Sequence, residues 1–326
     1  MNLVTGASGF IGGRIVRALI QRGEDVRILA RPDAKLSGLS GLKYEVCLGD
    51  IVDRTVLQAA VKGCKRIYHA AALYKLWVKN PELIYQINVT GTENIIRAGI
   101  DADVERIIYT SSVSTIGMPK DGSGNEETPV RLEDMIGDYK RSKFLAEASV
   151  KRLVDQGAPV VIVNPTYPVG KGDVKPTPSG QVILDFLKRR MPAYLDTGMN
   201  VVDVDDVAEG HLLAADSGQI GRRYILGNSN MTLKEILDIL SDISGLPGPR
   251  VRLPYYPVLC LSYIDSALAK LVPDREPRIP PDGVKMARNK MYVDPSRAVN
   301  ELKLPQTPPR VALEKAVNWF RSEGYV

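Results

Sequence analysis

Asn2-Leu3-Val4-Thr5-Gly6-Ala7-Ser8-Gly9-Phe10-Ile11-Gly12 runs a short apolar strand pattern into three glycines at G-x-x-G-x-x-G spacing. Gly12–Arg22 then carries the apolar spacing of a helix. Strand, tight turn and helix in that order form a cradle. With no side chains in the way, backbone N–H groups and the start of the helix can approach a pyrophosphate. Gly6, Ser8, Gly9, Phe10, Ile11 and Gly12 are therefore the expected dinucleotide contacts; a glycine turn without a ligand is the alternative.

Outward from this turn, strand patterns fall at Asn2–Thr5, Asp25–Ala30, Tyr44–Leu48, Arg66–His69, Arg106–Thr110 and Val160–Asn164. Helical spacing lies between them at Gly12–Arg22, Arg54–Val61, Tyr85–Ala98 and Tyr139–Gln156. The alternation predicts an α/β fold, a doubly wound parallel sheet of Rossmann type, with a smaller mixed C-terminal substrate domain. Residues 1–165 form the expected dinucleotide-binding domain, and 166–326 are mainly substrate-binding segments. Parts of 200–227 complete the sheet, through strand-like Val201–Val204 and Arg223–Leu226. Prolines 165, 168, 176, 178 and 192 indicate loops, and a helix is expected at Leu233–Ser244 before a proline-rich stretch from Leu253 to Pro309.

Composition narrows the function classes. The 326 residues suffice for one large α/β unit and a smaller one. The net charge of +5 is spread along the chain without a like-charge block, so no nucleic-acid partner is expected. Three cysteines lack metal or redox spacing and suit reduced thiols, and two histidines make a His-based metal centre an unneeded hypothesis. With no leader pattern ahead of the glycines, the expected location is cytoplasmic. The apolar stretch Leu253–Val272 contains Asp265, Lys270 and prolines, against a spanning helix. A helix packed in the smaller domain is expected there, with peripheral contact at the inner membrane face as the alternative.

Small and polar residues gather just past the strand ends: Gly6, Arg31, Asp50, Ala70-Ala71-Ala72, Ser111-Ser112 and Asn164-Pro165. In an open α/β sheet that edge is where ligands bind. Arg31 lies nineteen positions beyond Gly12, where an acid would hold an NAD ribose; a guanidinium there favours the 2′-phosphate of NADP. The alternative is a solvated Arg31, with Asp33 serving NAD. Asp50 suits the adenine amino group with Ile51 on the ring, or it caps the next helix. Ala70–Ala72 let a dinucleotide lie close, and His69 reads as a packed residue rather than a catalyst.

Tyr139 and Lys143 are four apart on an expected helix and share one face. A phenol with a pKa of about 10 is a poor base at neutral pH. A neighbouring ammonium would stabilise the phenolate, and Lys143 can also reach a nicotinamide ribose. Ser112 can orient a substrate oxygen with which Tyr139 exchanges a proton.

These elements, with Gly49-Asp50, Asn88-Val89-x-Gly91-Thr92 and Asp203-Val204-Asp205-Asp206-Val207, resemble the extended short-chain dehydrogenase/reductase family, the NAD-dependent epimerase/dehydratases. The resemblance implies Ser112, Tyr139 and Lys143 as the catalytic set, with Ser111 competing for the serine role. It also implies that Asn88 fixes the helix and strand near the site, that Asp205 ties loops to the sheet, and that a homodimer can form through the Tyr139 helix.

The strings Gly137–Glu147, Asp173–Gly180 and Met191–Gly198 are similar to the bacterial hopanoid-associated sugar epimerase subfamily, also labelled dihydroflavonol-4-reductase-like. The two labels imply different chemistry on a small molecule: a reductase consumes NADPH, whereas an epimerase recycles a tightly held NAD. Sugar epimerases of the family follow the fifth strand with Arg-x-x-Asn-x-Tyr-Gly-Pro. This chain has Val163-Asn164-Pro165-Thr166-Tyr167-Pro168-Val169-Gly170, closer to ketone reductases. A reductase linked to hopanoid metabolism is the expectation. A sugar epimerase, and a catalytically silent nucleotide-binding or membrane scaffold protein, are the alternatives. Loops 171–195 and 253–281 are expected to shape the substrate pocket.

Overall fold

The computed structural model describes residues 1–119, 121–272 and 275–326, without the Lys270 side chain. Seven parallel strands form the main sheet: β1 (Asn2–Thr5), β2 (Val26–Ala30), β3 (Glu45–Leu48), β4 (Arg66–His69), β5 (Arg106–Thr110), β6 (Val160–Pro165) and, far along the chain, β10 (Arg223–Leu226). Their order is β10-β6-β5-β4-β1-β2-β3. The chain reverses direction across the sheet between β1 and β4, where Thr5 is level with His69. That switch point is the crevice such sheets offer to ligands.

Helices cover both faces, so the central strands are apolar without alternation; every residue of β6 is buried. The helix α1 (Phe10–Gln21) and α7 (Val204–Ser217) lie on one side. On the other are α2 (Arg54–Val61), α4 (Gly91–Asp101) and α5 (Gly137–Asp155). The edge strand β3 is the exception, with Val46 and Leu48 exposed. A short α3 (Glu82–Tyr85) runs through a π-helical turn, Gln86–Thr90, into α4. The wider turn places Asn88 beside α5, a use of π-turns often seen at functional sites.

The second part has its own apolar core. It contains β7 (Tyr167–Val169), α6 (Pro178–Leu187), β8 (Ala193–Tyr194), β9 (Gly198–Asp203), β11 (Ser229–Thr232), α8 (Leu233–Ser244), β12 (Val251–Arg252), α9 (Tyr255–Leu271), α10 (Pro281–Met286) and α11 (Pro309–Ser322). One expectation is corrected here. The segment at Val201–Val204 does not rejoin the main sheet; β9 pairs with β7 and β11 in a separate three-stranded sheet, and only Arg223–Leu226 returns. Apolar alternation identifies a strand but not its partner. The helix expected at Leu233–Ser244 forms over those residues, capped by Thr232, with Gly245 left-handed after it.

The apolar stretch at 253–272 is helical, but it is not packed all round as expected. Val258 and Ala269 are buried, whereas Tyr256, Leu261, Ile264, Leu268 and Leu271 are exposed. No helix among the described residues is long and apolar enough to cross a membrane. Part of the expected pocket loop, Pro273 and Asp274, lies outside the described residues.

Candidate active site

The glycine turn is shaped by contacts that no side chain would survive. Gly6 is left-handed (φ +72°), and a Cβ on it would stand 2.6 Å from the Ala70 carbonyl carbon and the Ala71 nitrogen. A Cβ on Gly12 would stand 2.2 Å from the Gly6 carbonyl oxygen. The turn, the start of α1 and the end of β4 are thus pressed backbone to backbone. Gly9 caps α1 without a side chain, so the first-turn N–H groups face the crevice edge free of a capping oxygen. The cradle fits a dinucleotide pyrophosphate. Ser8, Gly9 and Phe10 also line a cleft of about 650 Å³ whose other walls bring Arg14, Arg17, Lys35 and Lys171. This clustering of cations suits an anionic ligand. Lys171–Val174 therefore shape the cleft at the turn, not the Tyr139 end; none of Ser112, Tyr139 and Lys143 lines it.

The remaining strand ends divide between open and committed residues. Ala70 and Ala71 are half-buried and Ala72 is exposed, leaving their backbone open above β4. Arg31 is exposed, its Nε 3.4 Å from Asp33. Asp50 accepts the Val52 N–H at 3.2 Å, and the cap of α2 is Asp53, not Asp50. Ile51 spends its side chain against Gly91 and keeps little free surface for an adenine ring. Asn164 is fully buried, so its amide touches no bound dinucleotide; it donates to the Ser112 carbonyl, Thr115 and Glu147, and Pro165 ends the same buried strand.

Beneath these ends runs a chain of satisfied polar groups. Thr92 Oγ1 donates to the Asn88 carbonyl at 2.7 Å, so it accepts from His69 Nε2 at 3.0 Å. His69 Nδ1 then accepts from Thr5 Oγ1 at 2.7 Å, and Thr5 accepts the Ala71 N–H. Both ring nitrogens being used, and burial holding the imidazole down to about 3, His69 is the packed residue expected. Asn88 accepts from the Leu73 N–H at 2.7 Å and donates to Ser142 at 2.9 Å; Ser142 in turn donates to the Tyr139 carbonyl. Asn88 thereby ties the loop after β4 to the turn of α5 that carries Tyr139.

The two serines take different partners. Ser111 donates to Glu147 Oε2 at 2.6 Å inside the protein. Ser112 caps the short helical turn Val113–Thr115, and its hydroxyl acts on the Tyr139 phenol. Ser111 is thus committed to Glu147, and Ser112, also buried, is the serine beside Tyr139.

Burial pushes the Tyr139 phenol up to about 12, with Ser112 pulling the other way. The expected lowering by Lys143 is not realised. Lys143 Nζ donates to the Thr110 carbonyl at 2.8 Å and sits 4.7 Å from the centre of the Tyr109 ring. Burial brings this ammonium down to about 7, opposed by Glu147.

Two residues of the site carried no sequence assignment. Glu147 continues the Tyr139, Lys143 face by one more turn and accepts from Ser111, Thr115 and Asn164. Its Oε1 pairs with Lys151 at 2.9 Å and Arg223 at 3.3 Å. Burial raises its carboxyl, but these partners outweigh that and hold it below the usual range. The i, i+4, i+8 spacing was the available signal. Tyr74 stacks on Tyr139 with ring centres 4.4 Å apart; only its place shortly after the β4 end hinted at this. Leu76, Ile136, Asp282 and Met286 complete a small cavity at Tyr139. Asp205 ties helices rather than loops, pairing with Arg14 of α1 and Lys315 of α11.

Comparison with known proteins adds to this geometry. The NAD dependent epimerase/dehydratase family model matches residues 2–227. The "Putative dihydroflavonol 4-reductase" of Synechocystis sp. is 45% identical over 99% of this chain and 95% of its own length. "Sterol demethylase protein B" of Methylococcus capsulatus is 34% identical over 99% of each. The crystal structure of gox2253 superposes with a TM-score of 0.89 at 42% identity, covering 100% of this chain and 99% of that one. A glycine turn pressed on β4, a strand-end crevice and a Ser–Tyr–Lys cluster agree with the profile match: the chain is an enzyme of the NAD-dependent epimerase/dehydratase family, an extended short-chain dehydrogenase/reductase.

Proposed function

We propose that the chain is a ketone reductase, with Tyr139 as proton donor, Ser112 orienting the substrate oxygen and Lys143 as the supporting cation. The observation that carries this is the setting of Tyr139: a phenol pushed up to about 12, covered by Tyr74 and bordered by Leu76, Ile136 and Met286 together with Asp138, Lys140 and Asp282. A phenol in that range stays protonated at neutral pH, as a donor to a developing alkoxide must be. An epimerase starts from the opposite state, a base that removes a carbinol proton. The segment after β6, Val163–Gly170, lacks the Arg-x-x-Asn-x-Tyr-Gly-Pro pattern of the family's sugar epimerases, which favours a ketone over a sugar nucleotide.

Gly6–Gly12 and the strand ends would hold a nicotinamide dinucleotide, which would supply the hydride. Ser112 donates to the carbonyl oxygen and Tyr139 passes it the phenolic proton. Lys143, one turn further along and anchored at the Thr110 carbonyl, is placed to hold the nicotinamide ribose. Arg31 supports NADP over NAD, because its guanidinium is exposed and loosely paired with Asp33. The names of the Synechocystis and Methylococcus relatives, a reductase and a sterol demethylase protein, support a polycyclic ketone. The hopanoid-type strings support a substrate of hopanoid metabolism.

The test is the identity and fate of the nucleotide in purified protein. A site that exchanges readily and prefers NADPH over NADH, with the preference lost in Arg31→Ala, supports the reductase. Retained NAD that resists exchange overturns it in favour of an epimerase.

A further inference from the structure

Helix α9 presents its apolar side to solvent. Tyr256, Leu261, Tyr263, Ile264, Leu268 and Leu271 are exposed, Leu271 by 79%, while Val258, Ser262 and Ala269 face inward. Pro257, Cys260 and Ala267 complete the outer half. Among the described side chains that half carries no charge: Asp265 lies at its margin, paired with Arg275 at 2.7 Å and accepting the Ile279 N–H. Water-facing helices show the reverse pattern, and contiguous apolar patches on soluble proteins mark interaction sites.

The surroundings are basic. Between Arg250 and Lys290 there are eight Lys and Arg against four Asp and Glu, so this stretch holds most of the net charge of +5. Two cations flank the helix directly: Lys285 lies 5.4 Å from the Tyr263 ring centre and Arg288 lies 5.9 Å from that of Tyr255. Arg250, Arg278 and Lys290 are exposed. Apolar side chains with tyrosines, bordered by cations, match the boundary between headgroups and acyl chains of an anionic bilayer.

We propose that this face docks on an anionic lipid surface, and that the substrate ketone is taken from that surface. The second half rests on the reductase reading above. It is supported by continuity: α9 packs on α10, whose Asp282 and Met286 line the cavity at Tyr139. The segment joining them is tied to the loop after β4 by Lys75 and Glu276 at 2.6 Å. Helix α10 thus touches both α9 and the Tyr139 cavity.

The experiment is sedimentation of the full chain with vesicles of phosphatidylcholine, with or without a quarter of phosphatidylglycerol. The comparison protein is Leu261→Glu/Ile264→Glu/Leu268→Glu, whose changed positions are all exposed and whose melting curve checks folding. Pelleting with the anionic vesicles, weakened by half-molar salt and reduced about tenfold or more in the variant, is expected. A chain that stays in the supernatant, or a variant that pellets equally, overturns docking. So does a dimer in vesicle-free sedimentation velocity that the variant splits, since it assigns the face to a second copy. The nucleotide-exchange test reads the reductase reading separately. Rapid NADPH exchange without vesicle binding removes docking alone; retained NAD with vesicle binding removes the reductase and leaves docking in place.

Discussion

Below the candidate site, His69, Asn88, Ser111, Asn164 and Glu147 are shut from water and hydrogen-bonded to one another or to neighbouring hydroxyls and backbone. Above it, α9, α10 and the loop after β4 are held by ion pairs that water reaches, such as Lys75–Glu276, and by a helix with half its apolar surface bare. Both regions border Tyr139, yet their stability has different sources. The lower network has no water to replace a lost partner, so each member is costly to change. The roof loses little when one contact goes, which suits the part of an enzyme that meets a variable substrate.

The largest effect expected is at the junction of the two regions. Tyr139→Phe should lower turnover by about 10²–10⁴-fold while dinucleotide affinity, read by fluorescence titration, is nearly unchanged. Retained turnover would remove Tyr139 as proton donor and leave it an aromatic partner of Tyr74. Next comes Glu147→Gln, which leaves Arg223 and Lys151 facing a neutral amide. A loss of about 3 kcal/mol in denaturant unfolding is expected; a loss near zero would mean the network is no stiffer than the roof.

Acid should act on the lower region through its buried histidines, His69 and, hydrogen-bonded to Thr110, His211. His69 and His211 are held to about 3 and about 4 by burial, so between those values and the ordinary 6.5 the unfolded chain binds protons that the folded chain does not. Stability therefore falls as pH is lowered from about 6.5 towards 4, by up to about 1.4 kcal/mol per pH unit for each histidine. Denaturant midpoints that stay flat across that window would show the imidazoles protonated in the folded state. The smallest effect is expected at the roof. Lys75→Met removes an exposed pair and should cost about 1 kcal/mol or less; a loss as large as that of Glu147→Gln would erase the contrast.

Local pattern was enough wherever a residue's role depends on its neighbours in the chain. The glycine spacing announced a turn that excludes side chains, short apolar runs between helical stretches placed the elements of the main sheet from β1 to β6, and the four-residue step put Lys143 on the Tyr139 face. Each follows from helix period, the length of an apolar run or the missing Cβ, which are properties of contiguous residues. The sequence by itself thus determined the dinucleotide fold and set Tyr139 and Lys143 on one helix face. Tertiary structure decided which partner each group takes: Ser111 with Glu147, Lys143 with Thr110, Ile51 with Gly91, and β9 with β7 rather than the main sheet. It also decided that α9 lies with its apolar side outward. An apolar run shows that surface must be covered, but what covers it depends on segments brought beside it from elsewhere in the chain or from outside it.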